Sequence, residues 1–235
     1  MGDGRRPRAR DLGIAIGVLP VGPLNAITDV PGVLVGHCTV SWGGPELPNG
    51  SGPARTGVTA VLPHGDGLWN ERVVAGVFAA NGVGEVVGSS SIREWGLIET
   101  PVMLTNSQAI GAVYDGTVRW VMEREPLAGR EDAVMPVVGE CDDGLLNDQR
   151  GMHVSEEHVR EALDGARGDA VAEGCVGAGT GMTCFDFKGG IGTSSRIITI
   201  YERRYTVGAL ALTNFGDRRR LVIDGVPVGR EIADL

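Results

Sequence analysis

A cluster of carboxylates follows the apolar, strand-like residues 133–138 and is the first candidate for chemistry in this chain. It comprises Glu140, Asp142, Asp143 and Asp148. Loops at strand ends are common places for binding sites, and a fixed carboxylate there could hold a substrate ammonium group through a charge-assisted hydrogen bond. A solvated acidic loop is the alternative on a chain of net charge −9. A metal site is disfavoured, because the cluster contains neither a histidine nor an EF-hand spacing.

A second candidate is Asn214, which follows a predicted strand ending at Thr213. A neutral side-chain amide can donate an N–H to the negative charge that develops in acyl transfer, and one such donor typically contributes about 2.7 to 4 kcal/mol of transition-state stabilisation. The sequence Asn214-Phe215-Gly216-Asp217 is also typical of a turn. A purely structural asparagine is therefore the alternative.

Weaker candidates lie in two glycine-rich stretches. Asn81 begins the sequence NGVGE, for which a tight loop is favoured over a substrate contact. Residues 177–181 lack the third glycine of a dinucleotide fingerprint and the GK[ST] ending of a phosphate-binding loop, so a structural turn is predicted there. No serine of this chain lies in a GxSxG or SxxK motif, which makes an internal serine nucleophile an unfavoured hypothesis.

The elements that must position these candidates indicate an α+β fold. Apolar stripes at helical spacing predict one helix from the caps at residues 105–107 to Glu125 and a second from Ser155 onward. Runs rich in β-branched residues predict strands, at residues 33–40, 56–62, 101–104, 133–138, 196–201, 205–213, 221–223 and 226–228. Turns at residues 202–204 and at Asp224-Gly225 would close two hairpins. Helices mixed with hairpins, rather than strict βαβ repetition, favour α+β layers.

Composition and charge exclude several classes of function. A net charge of −9 and a pI near 4.9 leave no basic surface for nucleic acid. No segment has the ~20 uninterrupted apolar residues of a membrane span, and glycines and prolines interrupt the N-terminal apolar stretch that a signal peptide would need. Four irregularly spaced cysteines predict free or buried thiols in a reducing compartment, here the cytoplasm, rather than a zinc site.

Three sequence blocks resemble the self-processing D-aminopeptidase and β-aminopeptidase family. They are PVVGECDDGLLND at residues 136–148, GTGMTCFDFKGGIGTSSR at 179–196 and YTVGALALTNFGDRRRLVIDGVPVG at 205–229. In that family a precursor cleaves itself, and the first residue of the smaller second chain, usually serine, is the nucleophile. A length of 235 residues predicts a single domain over 1–235, and the resemblance implies that it is the large subunit of a precursor cleaved next to Leu235. It also implies a four-layer αββα sandwich that a second, smaller chain completes.

The resemblance assigns roles to the candidate residues. Glu140 matches the family's amine-binding glutamate, and Asn214 matches its oxyanion-hole asparagine. Asp142 falls where some members have a tyrosine that donates to the oxyanion. An ionised aspartate cannot donate a hydrogen bond and would repel an oxyanion, so the tyrosine's role is in doubt here. Asp142 is expected to line the substrate site, and Asn81, from its sequence, is the weaker candidate for doing so.

The implied function is that of an aminopeptidase or amidase acting on N-terminal residues of peptides, amides or esters. The nucleophile's own amine would serve as general base, and a covalent acyl-enzyme would be hydrolysed. This chemistry requires no metal and no organic cofactor, and the family implies a homo-oligomer of paired chains, typically four pairs. The alternatives are an acyltransferase of the ornithine acetyltransferase type and a non-catalytic small-molecule-binding subunit, which only Asp142 favours.

Overall fold

A mixed five-stranded sheet lies at the centre of the chain, with strand order β1-β2-β6-β7-β4. The computed structural model describes residues 7–65 and 67–232. Its strands are β1 (Leu34–Trp42), β2 (Ala54–Leu62), β3 (Val73–Val74), β4 (Val86–Val87), β5 (Leu97–Ile98), β6 (Val102–Asn106), β7 (Val137–Cys141), β8 (Thr183–Cys184), β9 (Phe187–Lys188), β10 (Gly190–Ile200) and β11 (Arg203–Thr213). Its α-helices are α1 (Ser89–Trp95), α2 (Ile110–Arg124), α3 (Glu156–Asp164) and α4 (Val228–Glu231). In the central sheet β6 and β7 are parallel, and the other neighbouring strands are antiparallel.

Helices α2 and α3 cover one face of this sheet and bury the main hydrophobic core. Val58, Met103 and Val138 of the sheet belong to one cluster with Val113 of α2 and Val159 of α3. All five side chains are excluded from solvent. Burial of apolar surface on this scale is the dominant favourable contribution to folding, and it holds the middle strands β2, β6 and β7 in fixed positions.

Both helices begin where the sequence predicted, and Asn106 caps the short 3-10 turn Ser107–Ala109 that leads directly into α2. The side-chain oxygen of Asn106 accepts hydrogen bonds from the backbone N–H groups of Gln108 and Ala109, at 2.9 and 3.0 Å, as an N-cap does. Helix α3 begins at Glu156, directly after Ser155. Because Asn106 also ends β6, the start of α2 is fixed at one edge of the central sheet.

The opposite face of β1 and β2 is covered by the short turn Gly177–Gly179. The Ala178 N–H donates to the Thr59 hydroxyl at 3.1 Å. A Cβ atom at Gly57 would lie 2.6 Å from the Gly177 carbonyl oxygen, so the turn packs directly on bare backbone. The predicted structural turn is confirmed.

The long hairpin β10–β11 is also confirmed, with a shift in its turn. Tyr201 and Glu202 have φ angles of 48° and 66°, and they form the turn themselves. The turn predicted at residues 202–204 therefore begins one residue earlier, and its last two residues already pair in β11. Along β11 the outward side chains are substantially exposed, including Tyr205 and Val207, so one apolar face of the hairpin is uncovered in this chain.

The strands predicted at residues 221–223 and 226–228 are wrong, although the turn between them is right. Asp224 and Gly225 have φ angles of 49° and 83°, as a type I′ turn requires, but a single isolated bridge flanks them. The Gly229 N–H donates to a carbonyl of the first segment at 2.9 Å, and α4 begins in the second. Residues that a longer β-ladder would need are therefore part of a helical turn instead.

The strand predicted at residues 133–138 lies further along the chain, as β7. Pro136 precedes it and has no N–H to donate, so regular pairing starts at Val137. Glu140 therefore belongs to the strand and not to a loop after it.

Two further expectations concern the cleavage point and membrane spans. The expected cleavage point next to Leu235 lies outside the described residues. In the part of the chain that the structure describes, no helix has the length and apolar character needed to cross a membrane.

Candidate active site

Glu140 lies near the carboxyl end of β7, and residues next to the two neighbouring strands hold its side chain in place. In the parallel pair β6–β7 it is in register with Thr105. Its Oε1 accepts a hydrogen bond from the Glu85 backbone N–H at 2.8 Å, and its Oε2 accepts one from the Ser107 hydroxyl. The side chain is half-buried. Each carboxylate oxygen thus has one fixed donor and retains capacity for another.

Asn214 lies at the end of β11, next to the same edge. Its Nδ2 donates to the backbone carbonyl of Asp142 at 2.8 Å. The adjoining residue on each side is also tied down: the Thr213 hydroxyl accepts from the Gly190 N–H at 3.1 Å, and the Phe215 carbonyl accepts from the Phe185 N–H at 2.8 Å. A side-chain amide carries two N–H donors, so one orients Asn214 and the other can serve a ligand.

Asp142 contacts Asn214 through its main chain, while its side chain is turned into its own loop. The carboxylate Oδ1 accepts from the Gly144 N–H at 2.8 Å and from Gln149 Nε2 at 2.6 Å. This explains how an aspartate is compatible with a neighbouring oxyanion donor. The group presented to Asn214 is a neutral carbonyl, and the negative charge is held by two donors elsewhere.

Asn81 lies in an exposed irregular stretch between β3 and β4. The chain reaches the site four residues later, where Glu85 exchanges backbone and side-chain hydrogen bonds with Glu140. Within the described residues, no hydrogen bond joins the Asn81 side chain to Glu140, Asp142 or Asn214. The structure therefore brings Glu140, Asp142 and Asn214 together. Asn81 lies outside this group, in the exposed segment that leads to Glu85.

Asp143 is fully buried, so a solvated acidic loop is the wrong interpretation for this residue. Its Oδ1 accepts from Asn147 Nδ2 at 3.0 Å and from Gln149 Nε2 at 3.3 Å. Burial raises the pKa of Asp143, and these hydrogen bonds only partly oppose the shift. The four-residue spacing between Asp143 and Asn147 was the available sequence signal, since the chain makes a helical turn there.

Ser107 is a residue of the site that the sequence did not indicate as a candidate. It appeared only as one of three possible helix caps, yet Asn106 is the cap and Ser107 donates to Glu140.

Cys141, between Glu140 and Asp142, is not an activated nucleophile: burial, together with the nearby charge of Glu140, raises the pKa of its thiol to about 11. Within residues 7–65 and 67–232, no three His, Cys, Asp or Glu side chains are grouped as a metal site.

The comparison with protein families shows to which family the chain belongs. The model of peptidase family S58 matches residues 25–235. The chain belongs to peptidase family S58. The resemblance drawn from the three sequence blocks is therefore confirmed, and S58 membership does not favour the ornithine acetyltransferase alternative.

Relatives of this S58 chain include a β-peptidyl aminopeptidase. It is 46% identical over 228 residues to β-peptidyl aminopeptidase BapA of Sphingosinicella microcystinivorans, covering 97% of this chain and 56% of the relative. A crystal structure of the PH0078 protein from Pyrococcus horikoshii OT3 superposes with a TM-score of 0.94 at 50% identity, covering 97% of this chain and 65% of that one.

A third relative connects the S58 chain to a fold class. The L-aminopeptidase D-Ala-esterase/amidase from Ochrobactrum anthropi is described as a prototype for the serine aminopeptidases and a variant of the Ntn hydrolase fold. It superposes with a TM-score of 0.90 at 45% identity, covering 97% of this chain and 63% of that one. The S58 chain thus spans between about half and two thirds of the length of these three relatives.

Proposed function

We propose that this chain is the larger part of a self-processing aminopeptidase or amidase that acts on peptides, amides or esters with a free amino end. The single observation that carries the proposal is the connection between Glu140 and Asn214 through Asp142. Glu140 and Asp142 are two residues apart on an extended segment, roughly 7 Å along the chain, and Asn214 donates to the Asp142 carbonyl. A carboxylate and an amide donor held on neighbouring parts of the same site suit an aminoacyl group, whose ammonium and carbonyl lie a few bonds apart.

In the proposed reaction the nucleophile is the first residue of a second chain, serine by family expectation. Its oxygen attacks the substrate's carbonyl carbon while its own amine takes the proton. The carbonyl oxygen becomes an oxyanion that the second N–H of Asn214 stabilises. The leaving amine receives the proton, and water then hydrolyses the acyl-enzyme ester. Glu140 holds the substrate ammonium throughout.

The exposed face of β10–β11 supports a two-chain architecture. Apolar faces of a sheet are stable only when another layer covers them, and the outward residues of β11 include Tyr205 and Val207, which are 46% and 54% exposed. We place the second chain on this face, where it would complete the four-layer αββα sandwich. Assembly of such pairs into an oligomer of four pairs is part of the same proposal, as is a cytoplasmic location, with which the four free cysteines agree.

The test of processing is the mass of the mature protein. The chain is expressed from its complete reading frame, and intact masses are measured together with the N-terminal sequence of every fragment. We expect two fragments, the smaller beginning with serine, threonine or cysteine. An unprocessed polypeptide that releases no p-nitroaniline from aminoacyl p-nitroanilides would contradict the proposal and favour the non-catalytic binding subunit.

A further inference from the structure

The Ser107 hydroxyl is placed beside the Glu140 carboxylate by the topology of the sheet. Strands β6 and β7 are parallel, with Thr105 opposite Glu140 and Asn106 opposite Cys141. The carboxyl ends of parallel neighbours meet at one edge, so the residue that follows β6 must lie next to the end of β7. That residue is Ser107, and its Oγ donates to Glu140 Oε2.

The position of Ser107 is rigid for reasons that do not involve its own side chain. Asn106 is 3% exposed, caps the 3-10 turn that leads into α2 through its oxygen and donates its Nδ2 to the Thr56 hydroxyl at 2.6 Å. The helix therefore needs no cap from Ser107. A hydroxyl at this position is not required to start α2, and within the part of the chain that the structure describes its side-chain partner is Glu140.

The valences around Glu140 leave room for a ligand with several N–H donors. Oε1 receives the Glu85 N–H and Oε2 receives the Ser107 O–H. A hydroxyl that donates its hydrogen keeps two lone pairs as acceptors, and each carboxylate oxygen accepts more than one hydrogen bond. An ammonium group has three N–H donors, so a carboxylate with an adjacent acceptor hydroxyl satisfies it better than the carboxylate alone.

We propose that Ser107 is a specificity-determining residue of the amine site: it orients the Glu140 carboxylate and accepts a hydrogen bond from the substrate ammonium group. This inference rests on the proposed function. It commits the site to substrates with a free amine, because an acylated nitrogen is uncharged and has only one N–H, too few to reach Glu140 and Ser107 together.

The test compares Ser107→Ala and Ser107→Thr with the wild type, each expressed from the complete reading frame. One substrate is an alanyl or β-alanyl p-nitroanilide, whichever the wild type hydrolyses faster; the other is p-nitrophenyl propionate, which lacks the amine. Ser107→Ala should lower kcat/KM on the aminoacyl substrate at least about tenfold, the effect of losing a hydrogen bond to a charged group, mainly through KM. On the propionate it should stay within about twofold of the wild type, since no ammonium is bound. Ser107→Thr, which keeps the hydroxyl, should retain most of the aminoacyl activity.

Ser90→Ala is the matched control, because Ser90 is an exposed serine of α1 outside the site. Equal losses by Ser107→Ala on both substrates would show a structural role and overturn the inference, as would no loss on either. A wild type that hydrolyses no aminoacyl substrate, or hydrolyses its N-acetylated form equally well, would overturn the proposed function and this inference with it. The two failures are therefore distinguishable.

Discussion

The side-chain amide of Asn214 donates to the backbone carbonyl of Asp142 at 2.8 Å. This hydrogen bond joins the end of β11 to the segment that follows β7, so the hairpin and the central sheet meet where Glu140 is held. It also gives Asp142 a role that its side-chain chemistry does not provide. What matters at this position is a fixed main-chain carbonyl, which every residue type supplies.

Replacing the Glu140 carboxylate should remove the preference for a free amine. Glu140→Gln keeps the shape of the side chain but not its charge, and a charge-assisted hydrogen bond is worth about 1.5 to 3 kcal/mol. We expect kcat/KM on an aminoacyl p-nitroanilide to fall roughly 10- to 100-fold. Assays with the N-acetylated substrate provide the control, since the variant and the wild type should act on it equally. A variant as active as the wild type on the free amine would remove Glu140 from the amine site.

The buried Asp143 should make the folded protein more stable in acid than at neutral pH, a dependence that a non-titrating residue would remove. Burial raises its pKa in the folded state, so folding favours the protonated form. The contribution of this group is therefore most favourable at low pH and is lost as the pH rises through the raised value. The melting temperature of Asp143→Asn relative to wild type should increase between about pH 4 and pH 7. A difference that does not change with pH would show that the carboxyl titrates normally.

Asp148 should show the opposite dependence on pH. The backbone N–H groups of Gly52 and Gly50 donate to its Oδ2 at 2.8 and 2.7 Å and lower its pKa. Stability from this carboxylate is present above its unfolded pKa and is lost as the pH falls through the lowered value. Asp148→Asn should therefore melt at a lower temperature than wild type at pH 7. That gap should close below about pH 4, and a gap that persists in acid would point to packing instead.

The contact between β2 and the glycine turn should not tolerate a methyl group. A Cβ at Gly57 would lie 2.6 Å from the Gly177 carbonyl oxygen, and such overpacking typically costs about 1 to 3 kcal/mol. Gly57→Ala should lower the melting temperature by several degrees. Gly111→Ala is the control, because Gly111 is exposed in α2 with no atom within 4 Å of the added methyl. There alanine should stabilise by up to ~1 kcal/mol.

The sequence predicted elements whose signal is local and missed features that depend on distant contacts. The cap at Asn106, the helix after Ser155 and the hairpin β10–β11 follow from spacing and turn chemistry. The burial of Asp143 does not, because it depends on side chains that the fold brings together. The two-residue strands β3, β4 and β5 are too short to carry a periodicity. The failed strands beside Asp224-Gly225 show that a good turn does not guarantee a ladder.

In the candidate site, too, the residues could be predicted and their contacts could not. The residue types and their order, together with the family resemblance, singled out Glu140 and Asn214. Their connection through a main-chain carbonyl could not be predicted, since a carbonyl has no sequence signal. The contact of Ser107 with Glu140 could not be predicted for another reason. Residues 105–107 are all possible caps, and the sequence does not indicate which of them the helix uses.

The most direct test of the account is the turnover of Asn214→Ala in the protein expressed from its complete reading frame. The variant is assayed beside the wild type on the aminoacyl p-nitroanilide that the wild type prefers, with processing of both confirmed by mass. We predict that kcat falls about 10²- to 10³-fold while KM changes little, because the lost N–H acts on the oxyanion of the transition state. A processed variant with kcat within about threefold of the wild type, well short of that loss, would contradict the assignment of Asn214 as the oxyanion donor, and with it the proposed mechanism.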